Sequence, residues 1–78
     1  MNIRLYSTST CPWCQRLKEF LKEKKVKYTD IDVSADRKAA QEMISKSGQM
    51  GVPQIEIDGK TIVGFDKEAI EQALGSAK

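Results

Sequence analysis

Cys11-Pro12-Trp13-Cys14 stands between a short alternating segment and a helical repeat, so this chain must fold with a strand that turns at once into a helix carrying two thiols at its mouth. Asn2-Ile3-Arg4-Leu5-Tyr6 alternates polar and apolar as a strand does, and Ser7 to Thr10 reads as a loop. Trp13, Leu17, Phe20 and Leu21 then recur at helical spacing. With Cys11 as N-cap, Pro12 falls at the first helical position, where its missing N–H and fixed φ are tolerated. An N-cap side chain accepts from the second and third helical N–H groups, here those of Trp13 and Cys14. Those donors and the positive end of the helix dipole favour a thiolate at Cys11. Cys14 lies nearly a turn further in and faces the first sulfur, which suits a resolving thiol.

These are the only cysteines, and the chain has no histidine. A His-assisted nucleophile is therefore excluded, and zinc would want four ligands where the chain offers two thiols. A structural disulfide normally closes a longer loop than this one. Two-electron exchange between a dithiol and a disulfide is what remains, and the chemistry starts from sulfur.

Seventy-eight residues make one domain, read as 1–78, large enough to bury roughly 60% of the surface its unfolded chain exposes. There is no apolar stretch of signal-peptide length at the N-terminus and no run approaching the ~20 apolar residues of a membrane span. A reducing cytoplasm is the expected compartment, and no membrane partner is expected. Thirteen Lys and Arg against eleven Asp and Glu leave +2, too small a bias to imply nucleic acid. The run Lys22, Lys24, Lys25 and Lys27, broken by Glu23, reads as the solvated last turn of the first helix.

The remaining segments predict a scaffold for that turn. A second strand is expected from Val26 to about Asp32, with its alternation slipping between Tyr28 and Ile31. Asp36 or Ser34 caps a helix whose apolar face includes Ala39, Ala40, Met43 and Ile44, and Gly48 marks its end. Pro53 opens a strand bearing Ile55 and Ile57 on one face, and Asp58-Gly59 is a two-residue hairpin signal leading into Thr61-Ile62-Val63. Asp66 caps a last helix with Ala69, Ile70, Ala73 and Leu74 as its buried stripe. The order βαβαββα, with a right-handed crossover first and a hairpin last, predicts an α/β fold with a four-stranded mixed sheet in the order 2-1-3-4. The first and last helices are expected on one face and the second helix on the other.

Tyr6-Ser7, Cys11-Pro12-Trp13-Cys14, Ser47-Gly48, Val52-Pro53-Gln54-Ile55, Ile57-Asp58-Gly59 and Gly64-Phe65-Asp66 occur in the order and approximate spacing of the glutaredoxin family, which the chain resembles over almost its whole length. Proline then an aromatic between the cysteines looks like a dithiol glutaredoxin, whereas thioredoxins usually have glycine then proline there. The resemblance implies the thioredoxin fold, with Cys11 and Cys14 catalytic and no bound cofactor. It implies reversible reduction of protein disulfides or glutathione mixed disulfides by a monomer, with glutathione as co-substrate and disulfide-containing or glutathionylated proteins as partners. Pro53 matches the family's cis-proline, which sets the Val52 backbone opposite the sulfurs to pair with a peptide-like substrate as an edge strand does. Gly64, Phe65 and Asp66 match the segment that holds the γ-glutamyl end of glutathione, with helix N–H groups for the carboxylate and Asp66 for the ammonium. Asp66 is equally a plain N-cap.

Trp13 is either an anchor of the first helix or a partly exposed lid against the Cys-Gly part of the substrate. Gln49 and Arg37 are further candidates for the glycine carboxylate, which a guanidinium suits through a bidentate pair. Two positions depart from the family pattern. Thr8 stands where many glutaredoxins carry a Lys or Arg, and Val63-Gly64 replaces the familiar Gly-Gly. The Phe65 that follows resembles the small glutaredoxin-like redoxins that take electrons from thioredoxin reductase and give them to ribonucleotide reductase. Pro12-Trp13 nevertheless resembles glutaredoxin proper and favours glutathione as electron donor, with thioredoxin reductase as the alternative. A third reading, a dimer around an iron-sulfur cluster held by Cys11 and glutathione, is disfavoured by Pro12, because cluster-holding members usually have Gly or Ser there.

Overall fold

The computed structural model describes residues 2–76, with side chains through Gly75. Strand β1, Ile3–Ser7, runs into helix α1, Pro12–Glu23; β2, Thr29–Asp32, into α2, Arg37–Ser47; then follow β3, Gln54–Ile57, β4, Lys60–Val63, and α3, Lys67–Ser76. The sheet order is β2-β1-β3-β4. β1 pairs parallel with β2, from Arg4 opposite Thr29 to Ser7 opposite Asp32, and antiparallel with β3, from Ile3 opposite Ile57 to Tyr6 opposite Gln54. β3 and β4 are antiparallel neighbours, joined at Asp58-Gly59 with φ of 48° and 90°. Two positive φ angles in a two-residue loop match the twist of the flanking strands, which is why that dipeptide closes the hairpin.

The period of two along β1 and β3 separates the two cores. Ile3, Leu5, Ile55, Ile57 and Ile62 pack with Leu17, Phe20 and Leu21 of α1 and with Ile70 and Ala73 of α3. Tyr6 packs on the opposite face with Ala39 and Met43 of α2. Each fully buried Leu or Ile contributes on the order of 1.5–3 kcal/mol, so the α1/α3 face carries most of the apolar stabilisation. No helix among the described residues is long and apolar enough to cross a membrane.

Caps set the helix ends. Asp36, not Ser34, caps α2, accepting from the Ala39 N–H at 3.1 Å, and Gly48 closes it at φ 73° in the left-handed region. Asp66 accepts from the Ala69 N–H at 3.2 Å at the head of α3.

The strand boundaries differ from expectation at two places. Ser7 belongs to β1 rather than to the loop, its hydroxyl donating to Asp30 at 2.9 Å. The second strand begins at Thr29, not Val26. Lys25, at φ 57°, turns the chain after α1, and Val26 and Tyr28 pack half-buried on the α1/α3 core before pairing with β1 begins. Ile31 packs on the α2 side instead. The slipped alternation thus reflects two residues serving opposite faces.

Candidate active site

Every segment that builds the site ends at the same edge of the sheet. β1 and β2 run parallel, so the turns into α1 and α2 both leave from their C-terminal ends, while antiparallel β3 starts there and β4 finishes there. Chain direction alone therefore gathers Cys11, the residues before β3 and the head of α3.

Cys11 is extended, φ −98° and ψ 109°, and its Sγ accepts the Cys14 N–H at 3.1 Å with Pro12 at the first helical position. Of the two donors expected from the sequence, the Cys14 amide is the one that reaches the sulfur. Cys11 is partly exposed and Cys14 fully buried, and both are free thiols. Burial pushes the Cys14 thiol up to about 11 from 9.0, and its contact with Cys11 pushes the same way. A backbone hydrogen bond from Thr8 and the nearby Lys18 ammonium act against that shift. Lys18 is one turn beyond Cys14 and is paired with Asp30 at 3.0 Å. Thr8, half-buried, thus reaches the sulfur pair through its backbone.

The Val52–Pro53 peptide bond is cis, and the Val52 carbonyl lies 3.9 Å from Cys11 Sγ. Trp13, Val52, Pro53, Gly64 and Phe65 line a cavity of about 280 Å³. Gly64, at φ 82°, donates its N–H to the Pro53 carbonyl at 2.8 Å and so ties the start of β3 to the end of β4. Trp13 is 56% exposed. One side of its ring meets Phe65, centroids 6.5 Å apart, and the Arg16 guanidinium stands 4.9 Å from its centre. Phe65 continues to Phe20 at 5.7 Å, so the Trp13 ring is linked to the α1/α3 core while more than half of the residue stays exposed.

The candidates fall into two groups. Trp13, Val52, Pro53, Gly64 and Phe65 meet in one cavity beside Cys11, with Asp66 next in the chain at the head of α3. Gln49 and Arg37 are exposed and do not line it. Arg37 opens α2 at the same sheet edge, and Gln49 enters through its backbone, accepting from Gln54 Nε2 at 3.0 Å. Sequence reasoning missed Gln54 and Arg16. The spacing of Arg16 from Trp13, three residues along one helix, was a readable signal; a buried Gln inside a strand left none. Among the described residues no group of three or more His, Cys, Asp or Glu is placed to hold a metal ion.

The family model described as Glutaredoxin matches residues 3–62. The chain belongs to the glutaredoxin family. A glutaredoxin-like 8.6 kDa protein of the rubredoxin operon in Clostridium pasteurianum is 50% identical over 92% of this chain and 96% of its own. Glutaredoxin 3 of Escherichia coli is 38% identical over 83% and 78%. The crystal structure of a glutaredoxin from Archaeoglobus fulgidus superposes with a TM-score of 0.87 at 28% identity, covering 94% and 85%. This glutaredoxin is accordingly a thiol-disulfide oxidoreductase with the thioredoxin fold.

The raised Cys14 thiol has a consequence for stability. Below about pH 9 both folded and unfolded chains keep that proton; between 9 and about 11 the unfolded chain releases it first, so the folded state loses stability over that interval. The reduced protein should therefore lose more melting temperature from pH 9 to 11 than Cys14→Ala does. Parallel pH profiles for the two proteins would contradict the assignment.

Proposed function

We propose that this glutaredoxin reduces glutathione mixed disulfides and protein disulfides with glutathione as electron donor. The observation that carries this reading is the cavity walled by Trp13, Val52, Pro53, Gly64 and Phe65 beside Cys11. It offers an aromatic wall for the apolar part of a tripeptide, a backbone carbonyl next to the sulfur and, one residue on, the N-terminus of α3 for the γ-glutamyl carboxylate. Capping uses Asp66 Oδ1, which leaves the second carboxylate oxygen for the γ-glutamyl ammonium.

In deglutathionylation the Cys11 thiolate attacks the glutathione sulfur of the mixed disulfide. The protein thiolate leaves and takes up a proton, and Cys11 holds glutathione through a new S–S bond. A second glutathione thiolate attacks that glutathione sulfur, releasing glutathione disulfide and restoring Cys11. With a protein disulfide, Cys11 bonds one substrate sulfur and the other leaves. Cys14 then gives up its proton, attacks Cys11 and expels the second substrate thiolate, so the electron pair ends on the substrate and a Cys11–Cys14 disulfide remains. Two glutathiones reduce it. A dithiol that works as a reductant needs a reducing compartment such as the cytoplasm to keep it reduced.

Thr8 and Phe65 favour a second reading, in which thioredoxin reductase supplies the electrons. Thr8 brings no cation to the sulfur pair, and Phe65 fills the space between Trp13 and Phe20 with a ring. Reduction of the oxidised protein by glutathione with glutathione reductase, set against reduction by thioredoxin reductase, tests the two; faster turnover with the latter would reverse the proposal.

Asp66 and Thr8 carry a sharper expectation. A hydrogen bond to a charged group is worth roughly 1.5–3 kcal/mol, so Asp66→Ala should raise the KM for a glutathione mixed disulfide about tenfold or more. The same change removes a helix cap worth ~1 kcal/mol, which melting curves separate from the binding loss. Thr8→Lys should lower KM and Thr8→Ala change it little. An Asp66→Ala protein with altered melting but unaltered KM would refute the assigned contact.

A further inference from the structure

The loop before Val52 has little packing to hold it. Residues 48–51 are exposed, and a Cβ built on Gly51 would meet nothing within 4 Å. Its restraint comes from hydrogen bonds. Ser47 Oγ, itself bonded to the Met43 carbonyl at 3.0 Å, accepts the Gln49 N–H at 3.1 Å. Gln54, fully buried on β3 opposite Tyr6, donates from Nε2 to the Gln49 carbonyl at 3.0 Å and to the Gly51 carbonyl at 2.8 Å. Both N–H bonds of one carboxamide thus reach the two carbonyls that lead the chain to Val52. The Val52 carbonyl is 3.9 Å from Cys11 Sγ, and Gly64 holds the next carbonyl, that of Pro53.

We propose that Gln54 is a positioning residue for thiol-disulfide exchange, its buried carboxamide clamping the Gln49–Gly51 backbone so that Val52 presents its peptide edge to the substrate chain beside Cys11. This deepens the proposed function and rests on Val52 pairing with a peptide-like substrate. A rigid edge spares the ordering cost that a loose loop would incur on each binding event. The clamp leaves Gln54 Oε1 buried without a partner among the described residues, a cost that stabilisation of the core alone would not call for. A methionine of similar volume would fill the space without that orphan and without the clamp.

The test is Gln54→Met in the full chain, read by steady-state kinetics on a glutathione mixed disulfide and on a peptide disulfide. Substrate-free alkylation of Cys11 by iodoacetamide is measured alongside. The expected result is a KM raised fivefold or more on both substrates, with kcat and the alkylation rate within twofold of wild type. Backbone amides of residues 49–52 should also exchange faster with deuterium. Unchanged KM in a folded variant overturns the proposal, as does an equal fall in kcat and alkylation rate, which would report general loosening of the site. If Gln54→Met does not fold, Gln54→Asn, which keeps the donors one methylene short, is judged by the same ratios. A wild-type protein inactive on the glutathione substrate would refute glutathione dependence, while the variant-to-wild-type ratio on the peptide disulfide would still decide the role of Gln54.

Discussion

Cys11→Ser is expected to abolish reduction of every disulfide substrate, while Cys14→Ser should keep deglutathionylation and lose reduction of protein disulfides. The division follows from where the two sulfurs lie. Cys11 is partly exposed at the helix mouth beside Val52, whereas Cys14 is fully buried with its thiol pushed up to about 11. A substrate can reach only the first, and the second reacts once Cys11 has formed a mixed disulfide. A hydroxyl in place of Cys11 leaves no sulfur to form that bond. Steady-state assays with a glutathionylated protein and with a protein disulfide distinguish the roles; equal loss of deglutathionylation in both variants would contradict them.

Leu17→Ala should have the largest effect on stability. Leu17 is fully buried on α1 one turn beyond Cys14, and it belongs to the core that binds α1 and α3 to the sheet. Removing a buried Leu side chain costs roughly 2–5 kcal/mol, a large share of what a domain of this size possesses. That corresponds to a melting temperature lower by about 10 °C or more. Activity measured well below the transition should persist, since Leu17 lines no part of the cavity. A loss under ~1 kcal/mol in a denaturant titration would show that the core refills the space.

The parts of this molecule written as local signals were readable from the chain. Cys11-Pro12 at a helix start, Asp36 and Asp66 as caps, Gly48 as a left-handed stop and Asp58-Gly59 as a hairpin each depend on a few neighbouring residues, and the structure places all of them as expected. From them the element order and sheet order followed. The start of β2 was not readable, because apolar Val26 and Tyr28 continue the pattern of a strand while packing as the exit of α1. The polar face of β3 misleads in the same way. Gln54 and Glu56 alternate with Ile55 and Ile57 as solvent-facing residues would, yet all four are buried. Their partners are distant in sequence or on backbone: Lys46 of α2 reaches Glu56 at 2.6 Å, and Gln54 binds two loop carbonyls. The same holds for Thr8, chosen for its side chain and found to act through its amide.

Trp13 is the sole tryptophan of the chain, and in sequence it stands between the two cysteines, with the Arg16 guanidinium 4.9 Å from its ring centre and the Phe65 ring centre 6.5 Å away. Ultraviolet emission excited at the red edge of protein absorption therefore originates from a single address, with no second indole to average it. Formation or reduction of the Cys11–Cys14 bond takes place beside that one fluorophore, as would arrival of a tripeptide in the cavity under the proposed function. The lone indole therefore gives stopped-flow a reporter of each step without any attached dye.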